Sequence, residues 1–235
     1  MTRICTICAR GGSKGVKNKN IRELLGIPLI AHSILQAKES NLFDVIAVSS
    51  DSNEILRVSK EYGADYIVQR PAELATDTAA KIPVIQHCVT HVEQLSNLQF
   101  DTMTDIDATS PLRAIEDLRN AVFMFEKHTD ANNLITAAPA RRSPYFNLVE
   151  EKKDGYVMLS KPLENLIVTR QDAPKSYDMN ASIYVWNRET FFNEQTVFTN
   201  KTILYIMPEE RSQDIDSELD FEIVKLLAEK RGSLI

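Results

Sequence analysis

Short β-prone runs alternate with helix-period segments along most of the chain, and this alternation constrains the fold more than any other feature. Arg3–Cys8 (RICTIC), 44–49, 64–68, 100–107 and 134–138 read as strands, being short and rich in β-branched or apolar residues. Between them, 28–39, 53–62, 82–95 and 115–127 carry apolar residues at helical spacing, as in the stripe Ile85, Cys88, Val89 and Val92. Gly63 stands where a helix stop belongs. Two late strands, 181–186 and 202–207, and a helix over 221–230 close the pattern. The succession predicts an α/β fold with a doubly wound, mostly parallel sheet. A chain of 235 residues suits a single domain of this kind. From 141 to 176 the pattern gives way to short, polar, proline-punctuated pieces, which we read as a β-rich excursion and a candidate dimerisation arm. In doubly wound sheets ligands bind beyond the carboxyl ends of the strands. The chemistry is therefore expected in the loops after Cys8, Ser49, Val68 and Asp107.

The first of these loops, 9–20, reads ARGGSKGVKNKN and holds three glycines. Arg10, Lys14, Lys17 and Lys19 place four cations there. Glycine lets backbone N–H groups approach an anion closely, and the cations suit a polyphosphate. Neither GxxxxGK[ST] nor GxGxxG is present, so this is not a P-loop and not a dinucleotide fingerprint. A solvated turn is the alternative, and four cations directly after a first strand favour anion binding over it. Near the other end, Asp214 and Asp216 are two residues apart, which in an extended segment puts both carboxylates on one face. Such a pair suits Mg²⁺, which takes one or two carboxylates together with phosphate oxygens. The same stretch contains Ser217 and Asp220 in a helix-capping arrangement, so its acids also serve a helix start.

The run Arg10-Gly11-Gly12-Ser13-Lys14-Gly15, followed by Lys19-Asn20, resembles the signature of the acylneuraminate cytidylyltransferases, the CMP-sialic acid synthetases. Residues 69–78 (QRPAELATDT), Thr109-Ser110-Pro111-Leu112-Arg113 and 212–220 (SQDIDSELD) resemble further segments of that family, in the same order. The resemblance spans about the whole chain and implies transfer of CMP from CTP to a nonulosonic acid with release of pyrophosphate. It implies that Arg10, Ser13 and Lys14 hold the triphosphate, with Lys19 nearby, and that Asn20 faces the ribose. Arg70 and the backbone at Ala9 would recognise cytosine, while Asp77 and Thr78 shape the nucleotide pocket. Asp214 and Asp216 become the expected Mg²⁺ ligands, and a homodimer is expected. Catalysis is expected from in-line positioning and charge neutralisation by Mg²⁺, Arg10 and Lys14. Asp214 or a hydroxide on the metal would serve as base.

The acceptor side departs from the sialic-acid pattern. Where the family commonly has Gln-Pro before T-S-P-L-R, this chain has Asp107-Ala108, and its late strand reads Asp178-Met179-Asn180-Ala181. A carboxylate accepts hydrogen bonds and does not donate unless protonated, so the pocket should select a different donor pattern on the sugar. The runs 107–113 and 170–174 are similar to the subgroup activating legionaminic acid, a diamino relative of sialic acid. Arg170 is the candidate for the acceptor carboxylate because its planar fork suits bidentate binding. Asp107, Asp178 and Asn180 complete the expected acceptor pocket. A Kdo-activating transferase ranks lower, since R-L-P-G-K-P-L is missing at 15–20. A non-catalytic nucleotide-binding module ranks lower too, since both the phosphate loop and the acidic pair are retained.

Composition excludes several classes. The net charge of −6 argues against a nucleic-acid binder driven by bulk charge. No apolar run reaches the ~18 residues of a membrane helix, and the start lacks a signal-peptide core, so a cytoplasmic enzyme is expected. Three cysteines give no disulfide framework. Cys5 and Cys8, three apart in a strand, point to opposite faces and are expected to be core thiols rather than a redox or zinc pair. His87 and His91 lack the H-E-x-x-H pattern and read as a helix face.

Overall fold

The computed structural model describes residues 1–163 and 169–235, without the side chain of Arg170. A seven-stranded sheet runs through the molecule. Its strands are β1 (Arg3–Cys8), β4 (Val45–Ser50), β5 (Tyr66–Gln69), β6 (Thr102–Ile106), β7 (Asn133–Pro139), β10 (Tyr177–Asn187) and β11 (Thr202–Ile206). They lie in the order β11-β7-β10-β6-β1-β4-β5. β1 pairs in parallel with β4 and β6, as do β4 with β5 and β7 with β11. β10 runs antiparallel to both its neighbours, β6 and β7. The expected mostly parallel, doubly wound sheet is thus present with one reversed strand. The chain leaves β1 towards β4 and β5, then returns to the other side of β1 for β6. The loops after β1 and β6 therefore face each other at the point where strand order reverses, where such sheets bind ligands.

Two apolar layers cover the sheet. Residues of α1 (Leu29–Ser40), α2 (Asn53–Glu61) and α4 (Ile115–Lys127) pack with Cys5, Ile7, Ile46 and Val48 on one face. Residues of α3 (Lys81–Ser96) and α5 (Arg188–Asn193) pack with Ile4, Val45 and Ala47 on the other. The period-2 alternation of β1 decides which residue goes where. Cys5 joins the first layer and Cys8 packs against the second, as their spacing predicts. Cys8 meets Cys88, and that hydrogen bond together with burial pushes the Cys8 thiol well above its ordinary range. Trp186 and Phe191 are core residues at 5.7 Å between ring centroids.

A third, smaller apolar cluster does a different job. Val16 from the phosphate loop, Leu112 from the loop after β6, and Ile215 gather with Leu29 and with Phe221, Val224 and Ala228 of α6 (Glu218–Arg231). Val16 and Ile215 are fully buried. Each such side chain contributes about 1.5–3 kcal/mol when taken from water, so loops remote in sequence are held by one core.

Three elements extend the sequence reading. A hairpin of β2 (Glu23–Leu24) and β3 (Ile27–Pro28) turns through Leu25 and Gly26, both at positive φ. β10 starts at Tyr177, before the expected 181, because 177–179 pair with the end of β7. The expected excursion at 141–176 contains the two-stranded hairpin β8 (Val149–Glu151) and β9 (Val157–Leu159), and part of it lies outside the described residues. Among the described residues, no helix is long and apolar enough to cross a membrane.

Candidate active site

The loop after β1 is pinned before it turns. Ala9, nearly buried, donates its N–H to Ser49 O at 3.0 Å, and Gly11 N–H donates to the Asp51 carboxylate at 2.8 Å. Further on, Asn20 Nδ2 donates back to Arg10 O at 3.0 Å, closing the loop on itself. Gly15 packs so tightly on Asp216 that a Cβ would collide with the Asp216 carbonyl oxygen. Lys19 Nζ donates to Ile215 O and lies 3.6 Å from the Asp216 carboxylate. Ile215 N–H in turn donates to Thr109 O at 3.0 Å. Three segments distant in sequence are thereby laced together: the phosphate loop, the loop after β6 and the acidic stretch.

They enclose a cavity of about 200 Å³, lined by Cys8, Ala9, Arg10, Ser13, Lys14, Gly15, Lys19, Asn20, Asp107, Ala108, Thr109 and Asp216. Nearly all the residues expected on the phosphate side are here. Arg10 and Lys14 both form ion pairs with the exposed Asp77, whose carboxyl is held below the usual range by hydrogen bonds from Lys14 and Arg10. Asp77 is therefore the counter-ion of the phosphate-loop cations. Thr78, at the surface, faces Thr76 with 3.4 Å between the hydroxyls. Arg70 is buried and clasps Ser49, donating from its guanidinium to Ser49 O at 2.8 Å. Ala9 uses the same carbonyl, so Arg70 and the Ala9 backbone meet at one point.

Ile215 is buried between a half-buried Asp214, which accepts from Ile215 N–H at 3.0 Å and is not among the residues lining the cavity, and an exposed Asp216. Asp216 lines the cavity with its side chain largely exposed. Among the described residues, no group of three or more His, Cys, Asp or Glu could hold a metal by itself.

The expected acceptor residues divide. Asp107 lines the phosphate cavity, whereas Asp178 and Asn180 line a second cavity of about 230 Å³ with Arg141, Glu209, Ser212 and Gln213. The extended stretch that follows Ser212 and Gln213 leads to Asp216, so it links the two cavities. Asn180 is buried and its amide is engaged, accepting from Thr136 Oγ1 at 2.7 Å and donating to Ser212 Oγ at 2.9 Å. Asp178 accepts from Arg141 N–H at 3.2 Å. Arg170 begins a short 3₁₀ turn (Arg170–Asp172), and its side chain lies outside the described residues.

Several residues that carry the site bear no sequence motif of their own. Lys81, first in α3, lies 2.8 and 2.9 Å from the two Asp107 oxygens and 3.0 Å from Asp105. Burial pulls the Lys81 ammonium down, but Asp105 and Asp107 outweigh it and its pKa is raised well above the ordinary value. Burial raises the Asp107 carboxyl despite Lys81. Asp105 is fully buried and accepts from Thr6 Oγ1 at 2.7 Å. Arg113, also fully buried, donates to Ser33 at 2.9 Å, to Gln36 and Ser182 at 3.2 Å and to Asp107 O. Burial lowers its pKa to about 10, which leaves it charged at neutral pH. Arg113 thus fixes the loop after β6 by its donors, while Thr109 of the same motif lines the cavity. An acid inside the apolar strand MTDI was the one legible signal, at Asp105; Lys81 had none.

Comparison with known proteins shows the family and the fold. The sequence profile described as Cytidylyltransferase matches residues 4–231. The chain is 50% identical over 229 residues to the Post-translational flagellin modification protein B of Campylobacter coli, covering 97% of this chain and 96% of that one. It is 49% identical over 224 residues to the CMP-N,N'-diacetyllegionaminic acid synthase of Campylobacter jejuni subsp. jejuni, covering 95% and 94%. In fold it is similar to a CMP:2-keto-3-deoxy-manno-octonic acid synthetase solved with CTP, at a TM-score of 0.70 and 14% identity, over 98% of this chain and 100% of that one. With a strand-order reversal, a cation-rich glycine loop and an acidic segment closing one cavity, and a profile match over almost its whole length, the chain belongs to the cytidylyltransferase family.

Proposed function

We propose that this chain transfers the cytidylyl group of CTP to the anomeric hydroxyl of a nonulosonic acid, with a diacylated legionaminic-type acid as the preferred acceptor. One observation carries the reading: the phosphate loop and the Asp216 segment close on a single cavity, in a chain 49% identical to a CMP-diacetyllegionaminic acid synthase. Arg10, Ser13 and Lys14 take the triphosphate, and the two cations exchange Asp77 for phosphate oxygens as CTP enters. Asn20 faces the ribose, Arg70 and the Ala9 backbone read cytosine, and Thr78 lies at the pocket rim. The acceptor lies between Asp107 and the second cavity, with Asp178 and Asn180 on that side, and Arg170, whose side chain lies outside the described residues, remains the candidate for its carboxylate.

The sugar hydroxyl oxygen forms a bond to the α-phosphorus while the bond to the β-phosphoryl oxygen breaks, releasing pyrophosphate. Its proton passes to a base in the acidic stretch, for which Asp214 is the candidate. No covalent enzyme intermediate is required. Asp216 at the cavity, with Asp214 two residues before it, fits the donor chemistry of Mg²⁺, and these two carboxylates would be its protein ligands together with phosphate oxygens. An ion held there would supply charge neutralisation for the triphosphate and the leaving pyrophosphate. The chain works as one domain in the cytoplasm and as a homodimer joined through 141–176. The exposed Tyr156 and Val157 of the β8–β9 hairpin support the last point.

Pyrophosphate release from CTP and Mg²⁺ with N-acetylneuraminic, legionaminic, pseudaminic or Kdo acid tests the proposal. Fastest turnover with legionaminic acid is expected. A preference for N-acetylneuraminic acid sinks the acceptor assignment, and silence with all four sinks the activity.

A further inference from the structure

Lys81 stands at the junction of the phosphate cavity and the fully buried Asp105. Its ammonium reaches both oxygens of Asp107, at 2.8 and 2.9 Å, and lies 4.5 Å from the centroid of the Tyr184 ring. One cation thus bridges two carboxylates beside the cavity, with the buried Arg113 guanidinium behind them. Asp105 is anchored to Thr6, so Asp107 is the member that lines the cavity. The loop carrying Asp107 is held from behind, since Asp107 O accepts from Arg113 and from Ser33. The backbone that carries Asp107 is therefore held, and the two contacts from Lys81 hold its carboxylate.

We propose that Lys81 is a specificity-determining positioning residue, which orients Asp107 as an acceptor-only wall selecting an acylamino N–H on the sugar acid over a hydroxyl. The inference rests on the activity proposed above. An amide N–H is a pure donor and matches a carboxylate that can only accept. A hydroxyl brings lone pairs of its own, and a carboxamide wall, offering both donor and acceptor, suits it better. Lys81 supplies what the wall needs, an opposite charge beside the Asp107 carboxylate and a contact to each of its oxygens that aims it.

The test is steady-state kinetics of the full-length chain with CTP, Mg²⁺ and either di-N-acetyllegionaminic or N-acetylneuraminic acid, together with thermal unfolding with and without CTP. Lys81→Met is expected to raise the KM for the diamino acid about ten- to a hundredfold, while the KM for CTP and the stabilisation by CTP stay close to those of the unaltered chain. Lys81→Arg, which keeps the charge, is expected to recover most of that loss. If Lys81→Met does not fold, the neutral pair Lys81→Met with Asp107→Asn replaces it, and preference is expected to move towards N-acetylneuraminic acid. Equal changes in both KM values, an arginine variant no better than the methionine one, or a neutral pair with unaltered preference would overturn the inference alone. No turnover by the unaltered chain with either acid would overturn the activity proposal and this inference with it.

Discussion

Gly15 is the residue whose chemistry is most tightly prescribed by its surroundings. The Asp216 carbonyl occupies the space a side chain would need, so the contact between phosphate loop and acidic stretch exists only without a Cβ. Gly15→Ala is expected to push the two segments apart, lowering pyrophosphate release by about a hundredfold and stability by about 1–3 kcal/mol. Assay and thermal denaturation of one variant check both, and wild-type turnover would contradict the packing. Ala181 presents the opposite case. It sits at φ +49° where β10 shifts register, in the left-handed region that L side chains avoid. The buried Asn180 before it holds Thr136 and Ser212, and those bonds keep the strained residue in place. Ala181→Gly should relieve the strain and raise Tm by about 1–4 °C, a change differential scanning calorimetry resolves.

Among the elements, α6 matters to the site through its first turn. Ser217 caps the helix, its Oγ accepting from Asp220 N–H at 3.3 Å, while the Asp220 carboxylate accepts from Ser217 N–H at 2.8 Å and Asp216 N–H at 3.1 Å. The capping box thus fixes the backbone on which Asp216 is carried. Ser217→Ala should cost about 1 kcal/mol of stability and also raise the KM for CTP. Asn187 caps α5, away from the cavity, by accepting from Thr190 N–H at 2.8 Å. Asn187→Ala should cost a similar amount and leave the KM for CTP unchanged. If both variants bind CTP alike, the cap of α6 is only a helix feature. The boundaries of most helices and strands were legible because the apolar period is strong in them. The β2–β3 hairpin was not, because each of its strands is too short to show a period.

For the whole molecule, two histidines held below their ordinary pKa contribute a pH dependence of stability below neutrality. His32 is almost fully buried, with Nε2 donating to Leu24 O at 2.8 Å and Nδ1 lacking a partner among the described residues. Burial therefore lowers its pKa from the ordinary 6.5. Burial, with the nearby His91 and Arg70 charges, lowers that of His87 as well. Below pH 6.5 the unfolded chain binds protons at these sites that the folded chain refuses, so stability falls as pH drops through this window. His32→Gln is expected to flatten the fall without abolishing it, since His87 remains. Urea unfolding between pH 7.5 and the folded histidine values measures the slope, and an unchanged slope would show that His32 is protonated in place.

The sequence by itself determined the alternation of strands and helices, and through it the parallel sheet and the ends of the strands where ligands gather. It also singled out the cation-rich glycine loop and the acidic pair as candidates, since Arg10, Lys14, Asp214 and Asp216 show their charge in residue type and local spacing. Only the tertiary structure decided what these pieces face. Lys81, Asp105 and Asp107 form one charge group because α3 and β6 flank β1 in space, and no local pattern encodes that contact. Arg113 closes a conspicuous motif with no role written in its local sequence, and its burial turns its donors inward to hold a loop. Asp107 and Asp178, expected in one pocket, line separate cavities, because β10 runs against its neighbours and carries Asp178 beside the end of β7. Local spacing dictates which backbone a segment adopts; which charge meets which depends on strand order and on the small core around Val16, Leu112 and Ile215.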